Sequence, residues 1–253
     1  MKYIVIPDVQ AKPDDDFKFL SHIGEYIAWE KPDVIVQIGD FADMQSLSSY
    51  DVGKKAFEGR TYKADIDASI TAMDTLMLPI LREQVKLEKS HRKRWNPKLY
   101  LTLGNHEARI DKAINSDRKL EGLISTSDLR YEEYGWNVSP FLQPIILDNI
   151  CFCHYICAGV MGKPITNPKL LASKKHMSVI VGHQQGRDIA YSTRADGKHI
   201  TCIIAGSCYN HDEGYMNYQT NNHWRGIIQL DNVNDGEYDE HFISLKHLEN
   251  IYE

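Results

Sequence analysis

Carboxylate, amide and imidazole side chains recur at the ends of short apolar runs in this chain of 253 residues. Asp8 follows the run Tyr3–Ile6, Gly39-Asp40 follows residues 34–38, and Gly104-Asn105-His106-Glu107 follows residues 99–103. His154 closes the run 150–154, and Gly182-His183-Gln184-Gln185 follows 179–181. Taken singly, each has a plainer reading. An Asp after a strand caps a helix, a His on a strand is a satisfied core histidine, and Asn105 tolerates a left-handed turn. Taken together, they lie at the carboxyl ends of expected strands, and in an α/β sheet those ends share the edge where sites are built. A glycine before the polar residue lets the backbone turn sharply and come close to a ligand. Oxygen and nitrogen donors converging from distant parts of the chain are what a divalent-metal cluster requires.

The elements that must position these residues follow from periodicity. Short apolar runs, the first of them rich in β-branched residues, predict buried strands at Tyr3–Ile6, 34–38 and 99–103. Between them, Phe17, Leu20, Ile23 and Ile27 form a helical stripe over 14–29, with acidic residues in its first turn. A second helix is expected over 65–89, with Ile66, Ile70, Met73 and Met77 on one face and Pro79 as a kink. This β-α-β-α-β order argues for a parallel sheet with helices on its faces. Beyond Gly135, strands are expected at 145–147, 150–154, 179–181, 189–193, 199–204, 226–230 and 238–245, with Asp196-Gly197 as a hairpin turn. Mixed strands stacked on a first sheet suggest a two-sheet α/β sandwich flanked by helices. With no repeat, low-complexity tract or linker, residues 1–253 read as a single domain.

Composition narrows the classes of function. Hydrophobic residues make up 42% and charged residues 25% of the chain, as in an ordinary globular protein. A net charge of -6 gives no general attraction to nucleic acid, so any such contact needs a local patch. Five cysteines at irregular spacing fit a reduced, cytoplasmic protein, and Cys151 and Cys153 alternate on an expected strand as core filler. The first apolar run is too short for a signal peptide, and no later one approaches the roughly 20 apolar residues that span a bilayer, so no membrane partner is expected.

The residues Asp8-Val9-Gln10, Gly39-Asp40-Phe41-Ala42-Asp43, Gly104-Asn105-His106-Glu107, His154 and Gly182-His183-Gln184-Gln185 resemble, in order, the motifs of the calcineurin-like metallophosphoesterases. The resemblance implies a four-layer αββα sandwich of two mixed sheets carrying a two-metal centre. Asp40 would bridge the metals and Asp8 would bind the first. Asn105, His154 and His183 would bind the second. His106 would act as general acid for the leaving oxygen, held by Asp43. Two metals roughly 3.5–4 Å apart can activate water and neutralise both oxygens of an in-line displacement. The family usually has His where this chain has Gln10 and Gln185, both at the first metal. Amide oxygen is a harder and weaker ligand than imidazole nitrogen, so Mn²⁺ is the expected metal, with Mg²⁺, Ni²⁺ or Zn²⁺ as alternatives. The bland alternative is a decayed first site.

The substrate is less constrained. Protein phosphatases of this family carry Arg directly after the second Asp, where this chain has Met44-Gln45, so that branch fits poorly. Arg109 could grip phosphate instead, or serve in an ion pair on its helix. The segment from Cys208 to Trp224, with Tyr209, His211, Tyr215 and Tyr218, returns to the metal edge and would suit stacking on a base. A generic polar loop is as plausible. The basic run Lys89 to Trp95 precedes the strand whose far end carries Asn105. It should therefore sit roughly 17 Å from the metals, as cations complementing a helix C-terminus. The expected activity is hydrolysis of phosphodiesters in nucleotides or DNA. The alternatives are a phosphomonoesterase and a catalytically silent nucleotide-binding module.

Overall fold

Along β1 (Tyr3–Ile6) every residue is buried, and the strand's two faces belong to different cores. Ile4 and Ile6 pack with helix residues Leu20, Ile23, Met73 and Leu76, whereas Tyr3 and Val5 pack with Phe152, Ile180 and Ile203 of a second sheet. A strand buried on both faces reads as a continuous apolar run, because neither face meets water. Each fully buried aliphatic side chain stabilises the fold by roughly 1.5–3 kcal/mol relative to exposure. The computed structural model describes residues 1–49, 53, 55–210 and 223–253.

The elements that follow are α1 (Lys18–Glu30), β2 (Val34–Gln37), α2 (Tyr62–Lys89), β3 (Lys98–Thr102), α3 (Ala108–Ser116), β4 (Asn137–Ser139), β5 (Ile145–Leu147), β6 (Ile150–Cys153), β7 (Cys157–Ala158), β8 (Lys163–Pro164), α4 (Pro168–Lys175), β9 (Ser178–Val181), β10 (Arg187–Thr193), β11 (His199–Ala205), β12 (Gly226–Asn234), β13 (Glu237–Ser244) and α5 (Leu245–Tyr252). The first sheet has the order β13-β12-β1-β2-β3-β4, and the second β10-β11-β9-β6-β5. β1 to β4 run parallel, while β12 and β13 join antiparallel, so the sheet is mixed. The second sheet is mixed too, with β6, β9 and β11 parallel and β5 and β10 antiparallel at its edges. Helices α1, α2 and α5 contribute to the core on the outer face of the first sheet. Helix α4 covers the second through Leu171 and Ala172, against Cys151, Cys153 and Cys202. The result is the expected four-layer α/β sandwich, with Cys151 and Cys153 as core filler.

Two expectations need correction, both at helix starts. Asp14 has a left-handed backbone (φ 68°) and α1 starts only at Lys18, whose N–H donates to Asp16, so the acidic residues precede the helix and none lies in its first turn. α2 begins earlier than expected because the Thr61 side chain accepts the N–H of Ala64 and caps it. Pro79 lies inside that one continuous helix, opposite Gly24 of α1, where an added Cβ would come within 2.4 Å of the Leu76 carbonyl.

Candidate metal centre

The parallel strands of both sheets point their carboxyl ends at one edge. Asp8 follows β1, Asp40 follows β2, Asn105 and His106 lie between β3 and α3, His154 follows β6, and His183 follows β9. Asp8, Asp40 and His154 are buried. The turn after β2 is shaped by Gln37, whose amide accepts the N–H of Gly39 and donates to its carbonyl. Gly39 has φ 94°, and a Cβ there would lie 2.7 Å from His154 Nδ1. A Cβ at Gly104 would lie 2.1 Å from Asp40 Oδ1, and one at Gly182 would lie 2.3 Å from Asp8 Oδ1. Gln10, Asp40, His183 and Gln185 all have left-handed backbones, with φ between 49° and 69°. Strain of this kind costs on the order of 1–3 kcal/mol per residue and concentrates at functional sites.

One ligand atom from each of Asp40, His154 and His183 lies within 4.8 Å of the others. Nδ1 of His154 donates to the Ile38 carbonyl at 3.1 Å, which turns Nε2 toward Asn105 Oδ1 at 2.9 Å and Asp40 Oδ2 at 3.2 Å. A backbone bond to one ring nitrogen is how a metal-binding histidine is oriented. Burial pulls the His154 pKa down, but the carboxylates of Asp40 and Asp8 outweigh it and raise it to about 9. Burial and the neighbouring His154 lower His183 to about 4, so it offers a neutral lone pair at pH 7. Burial raises Asp8 to about 7 against the attraction of His154, and the His183 N–H donates to both its oxygens at 3.1 Å. Burial would raise Asp40 as well, but His106 and His154 hold it well below the usual carboxylate range. An electron-rich, buried set of carboxylate, amide oxygen and imidazole fits a divalent cation. Asp8 stands slightly apart, with Oδ1 3.9 Å from His154 Nδ1.

His106 lies beside this set. Its backbone N–H donates to Asp40 Oδ1 at 2.9 Å, and its Nε2 is 3.7 Å from Asp40 Oδ2. Nδ1 is 2.8 Å from Asp43 Oδ1, an ion-pair contact whose angle falls short of an aligned hydrogen bond. Burial disfavours the imidazolium, yet Asp40 and Asp43 outweigh it and raise the pKa of His106. Arg109 binds the Asp43 and Met44 carbonyls at 2.7 and 3.3 Å and Asp43 Oδ1 at 3.3 Å, which ties down the loop carrying Asp43. Arg109 also lines a cavity of about 530 Å³ with Asn105, Lys112, Tyr155 and His183.

Glu107 is the residue whose role sequence reasoning missed. Its fully buried carboxylate accepts three backbone N–H groups, from Asp40 at 3.1 Å and Gly104 at 2.8 Å on Oε2 and from Ala42 at 2.8 Å on Oε1. The Tyr131 hydroxyl adds a fourth bond at 3.4 Å. One side chain thereby joins the loop of the expected bridging ligand to the loop of Asn105. Its place in the Gly-Asn-His-Glu string was the only signal.

The two glutamines sit where backbone bonds hold them. The Gln10 N–H donates to the Asp40 carbonyl at 2.8 Å, and the Gln185 carbonyl accepts the Trp224 N–H at 3.1 Å. The expectation for Tyr209 is corrected. Its side chain is fully buried, with its hydroxyl 3.1 Å from His223 Nδ1 and the Arg225 guanidinium 5.5 Å above its ring, so it presents no open face for a base. His211, Tyr215 and Tyr218 lie outside the described residues.

No protein-family model matches the chain, and no curated relative does either. Among solved structures, it is similar to YfcE, a phosphoesterase from E. coli, at 12% identity over 97% of this chain and 100% of that one, with a TM-score of 0.38. It is likewise similar to a dimetal phosphatase from Danio rerio, at 11% identity over 97% of this chain and 99% of that one, with a TM-score of 0.37.

Proposed function

We propose that this chain is a single-domain, metal-dependent phosphoesterase that hydrolyses phosphodiester bonds of nucleotides or DNA with two divalent metals, Mn²⁺ foremost. The observation that carries the reading is the convergence of Asp40, His154 and His183 beside Asn105, with the His106–Asp43 pair at its rim. Asp8, Gln10, Asp40 and Gln185 would hold the first metal, and Asp40, Asn105, His154 and His183 the second. When bound, the metals would activate water and neutralise charge on the phosphoryl oxygens. His106 would hold, at Nε2, the proton that the leaving oxygen takes. Asp43 and Asp40 favour its charged form, and Arg109 fixes Asp43 in place. The cations Arg109 and Lys112 along the cavity suit a phosphate ester. We place the protein in the cytoplasm on its odd, irregularly spaced cysteines. Among the described residues, no helix is long and apolar enough to cross a membrane.

The test is metal analysis combined with turnover of bis(p-nitrophenyl) phosphate and p-nitrophenyl phosphate in Mn²⁺, Mg²⁺, Zn²⁺ and Ni²⁺. Diester hydrolysis, best in Mn²⁺, is expected. Faster hydrolysis of the monoester would assign a phosphomonoesterase. Folded, metal-loaded protein inactive on both would leave a silent binding module.

A further inference from the structure

The basic run plays no part in the proposed chemistry, and the fold gives it a surface of its own. Residues 86–98 carry six Lys or Arg against one Glu, in a chain of net charge -6. They border a groove of about 1070 Å³ at the amino-terminal ends of β1, β2 and β3, the edge opposite the metal centre. β3 alone separates the two edges by roughly 17 Å at its usual rise per residue. Helix-dipole complementarity accounts for Lys86 and Lys89, in the last turn of α2. It does not account for Arg92, Lys93 and Lys98, which lie beyond the helix, are exposed, and have no acidic partner among the described residues. Of the three acids lining the groove, Glu83 pairs with Lys31 at 2.9 Å, while Asp33, which accepts the Lys2 N–H, and Asp148, which bonds the Tyr3 hydroxyl, keep their charge against five lining Lys or Arg. Trp95 and Tyr100, both half-buried, supply aromatic wall, and the Trp95 indole is fixed by donating to the Pro32 carbonyl at 2.8 Å.

Unpaired cations attract phosphates, and fixed aromatic rings beside them offer stacking surfaces to unpaired bases. We propose that this groove is a second binding site, for single-stranded nucleic acid, independent of the metal centre. A duplex hides its base faces and would use only the cations.

The test is fluorescence anisotropy with a labelled 20-nucleotide single strand, in EDTA, over a salt series. The variant R92E/K93E/K98E changes only exposed side chains. K63E/K119E/K169E makes the same charge change elsewhere on the surface. Single-strand affinity falls with salt by a log–log slope of about 0.7 per neutralised phosphate, so losing three contacts should flatten the slope by about 2. At 0.1 M salt that corresponds to a loss on the order of 100-fold. The expected result is this loss in the groove variant alone, with turnover of bis(p-nitrophenyl) phosphate unchanged. Equal losses in both variants, unchanged affinity in the groove variant, or tighter binding of a duplex or of polyglutamate than of the single strand would overturn the proposal. Because binding is read without metal, an inactive metal centre would count against the phosphoesterase reading and leave this one standing.

Discussion

Replacing Glu107 by Gln should damage the metal centre without touching a ligand. The carboxylate serves three backbone donors on two oxygens, whereas the amide has one oxygen. The best placement keeps that oxygen at the Oε2 position, facing Asp40 and Gly104, and turns the NH₂ group onto the Ala42 N–H. Leaving one buried N–H unsatisfied costs about 1–3 kcal/mol, and the two surviving bonds lose their charge assistance. Burial already raises the pKa of Glu107, so removing its charge relieves desolvation and offsets part of the loss. The balance is about 2 kcal/mol, or a Tm lower by about 4–8 °C for a domain of this size. Because the lost donor lies two residues after Asp40, Mn²⁺ affinity should fall by about 10-fold as well. Calorimetric melting and Mn²⁺ titration of Glu107→Gln read both effects. A Tm within a degree of wild type, with unchanged Mn²⁺ affinity, would refute the assignment of Glu107 as the clamp between the two loops.

Gly182→Ala should displace Asp8, since its Cβ would fall 2.3 Å from Oδ1, at an overpacking cost of about 1–3 kcal/mol. Wild-type metal content and melting in this variant would show that the approach is not required. His106→Gln should keep its metals but lose about 10²–10⁴-fold turnover on esters with poor leaving groups, with less loss where the leaving group needs no proton. An equal loss on both ester types would point to a structural role. His154 has a folded-state pKa raised to about 9 from an ordinary 6.5, so its stabilising charge is fully present below pH 6.5 and is lost as pH rises toward 9. EDTA-treated protein should therefore melt lower at pH 9 than at pH 6.5, by up to about 3 kcal/mol of stability. A metal-free Tm that holds steady or rises across that window would contradict the electrostatic description of the site.

Local pattern carried much of this structure. Strand runs at 3–6 and 150–153 were legible because strands buried on both faces in a sandwich are apolar throughout, and the glycines before Asp40, Asn105 and His183 mark turns that no larger residue fits. What could not be read depends on convergence. Glu107 meets Asp40 across 67 positions, and nothing local separates its buried carboxylate from an ordinary acid at a helix start. Tyr209 sits among polar residues that suggest an exposed loop, yet tertiary packing buries it completely. Helix α4 escaped notice because it has eight residues and a weak apolar stripe, although Asn167 and Pro168 at its start are a readable cap. β4 and the β7–β8 pair are too short for periodicity to register.

The central claim is that Asp40 is shared by two metals, and Mn²⁺ titration of wild type and Asp40→Ala, with diester turnover followed in the same samples, tests it most directly. Asp40 is buried, its Oδ2 lies 3.2 Å from His154 Nε2 and its Oδ1 accepts the His106 N–H. Wild type should bind two Mn²⁺ per chain, with activity following occupancy. Asp40→Ala should bind neither tightly and should be inactive at any Mn²⁺ concentration. Two tightly bound metals in Asp40→Ala, or full wild-type activity with a single metal bound, would contradict the two-metal centre.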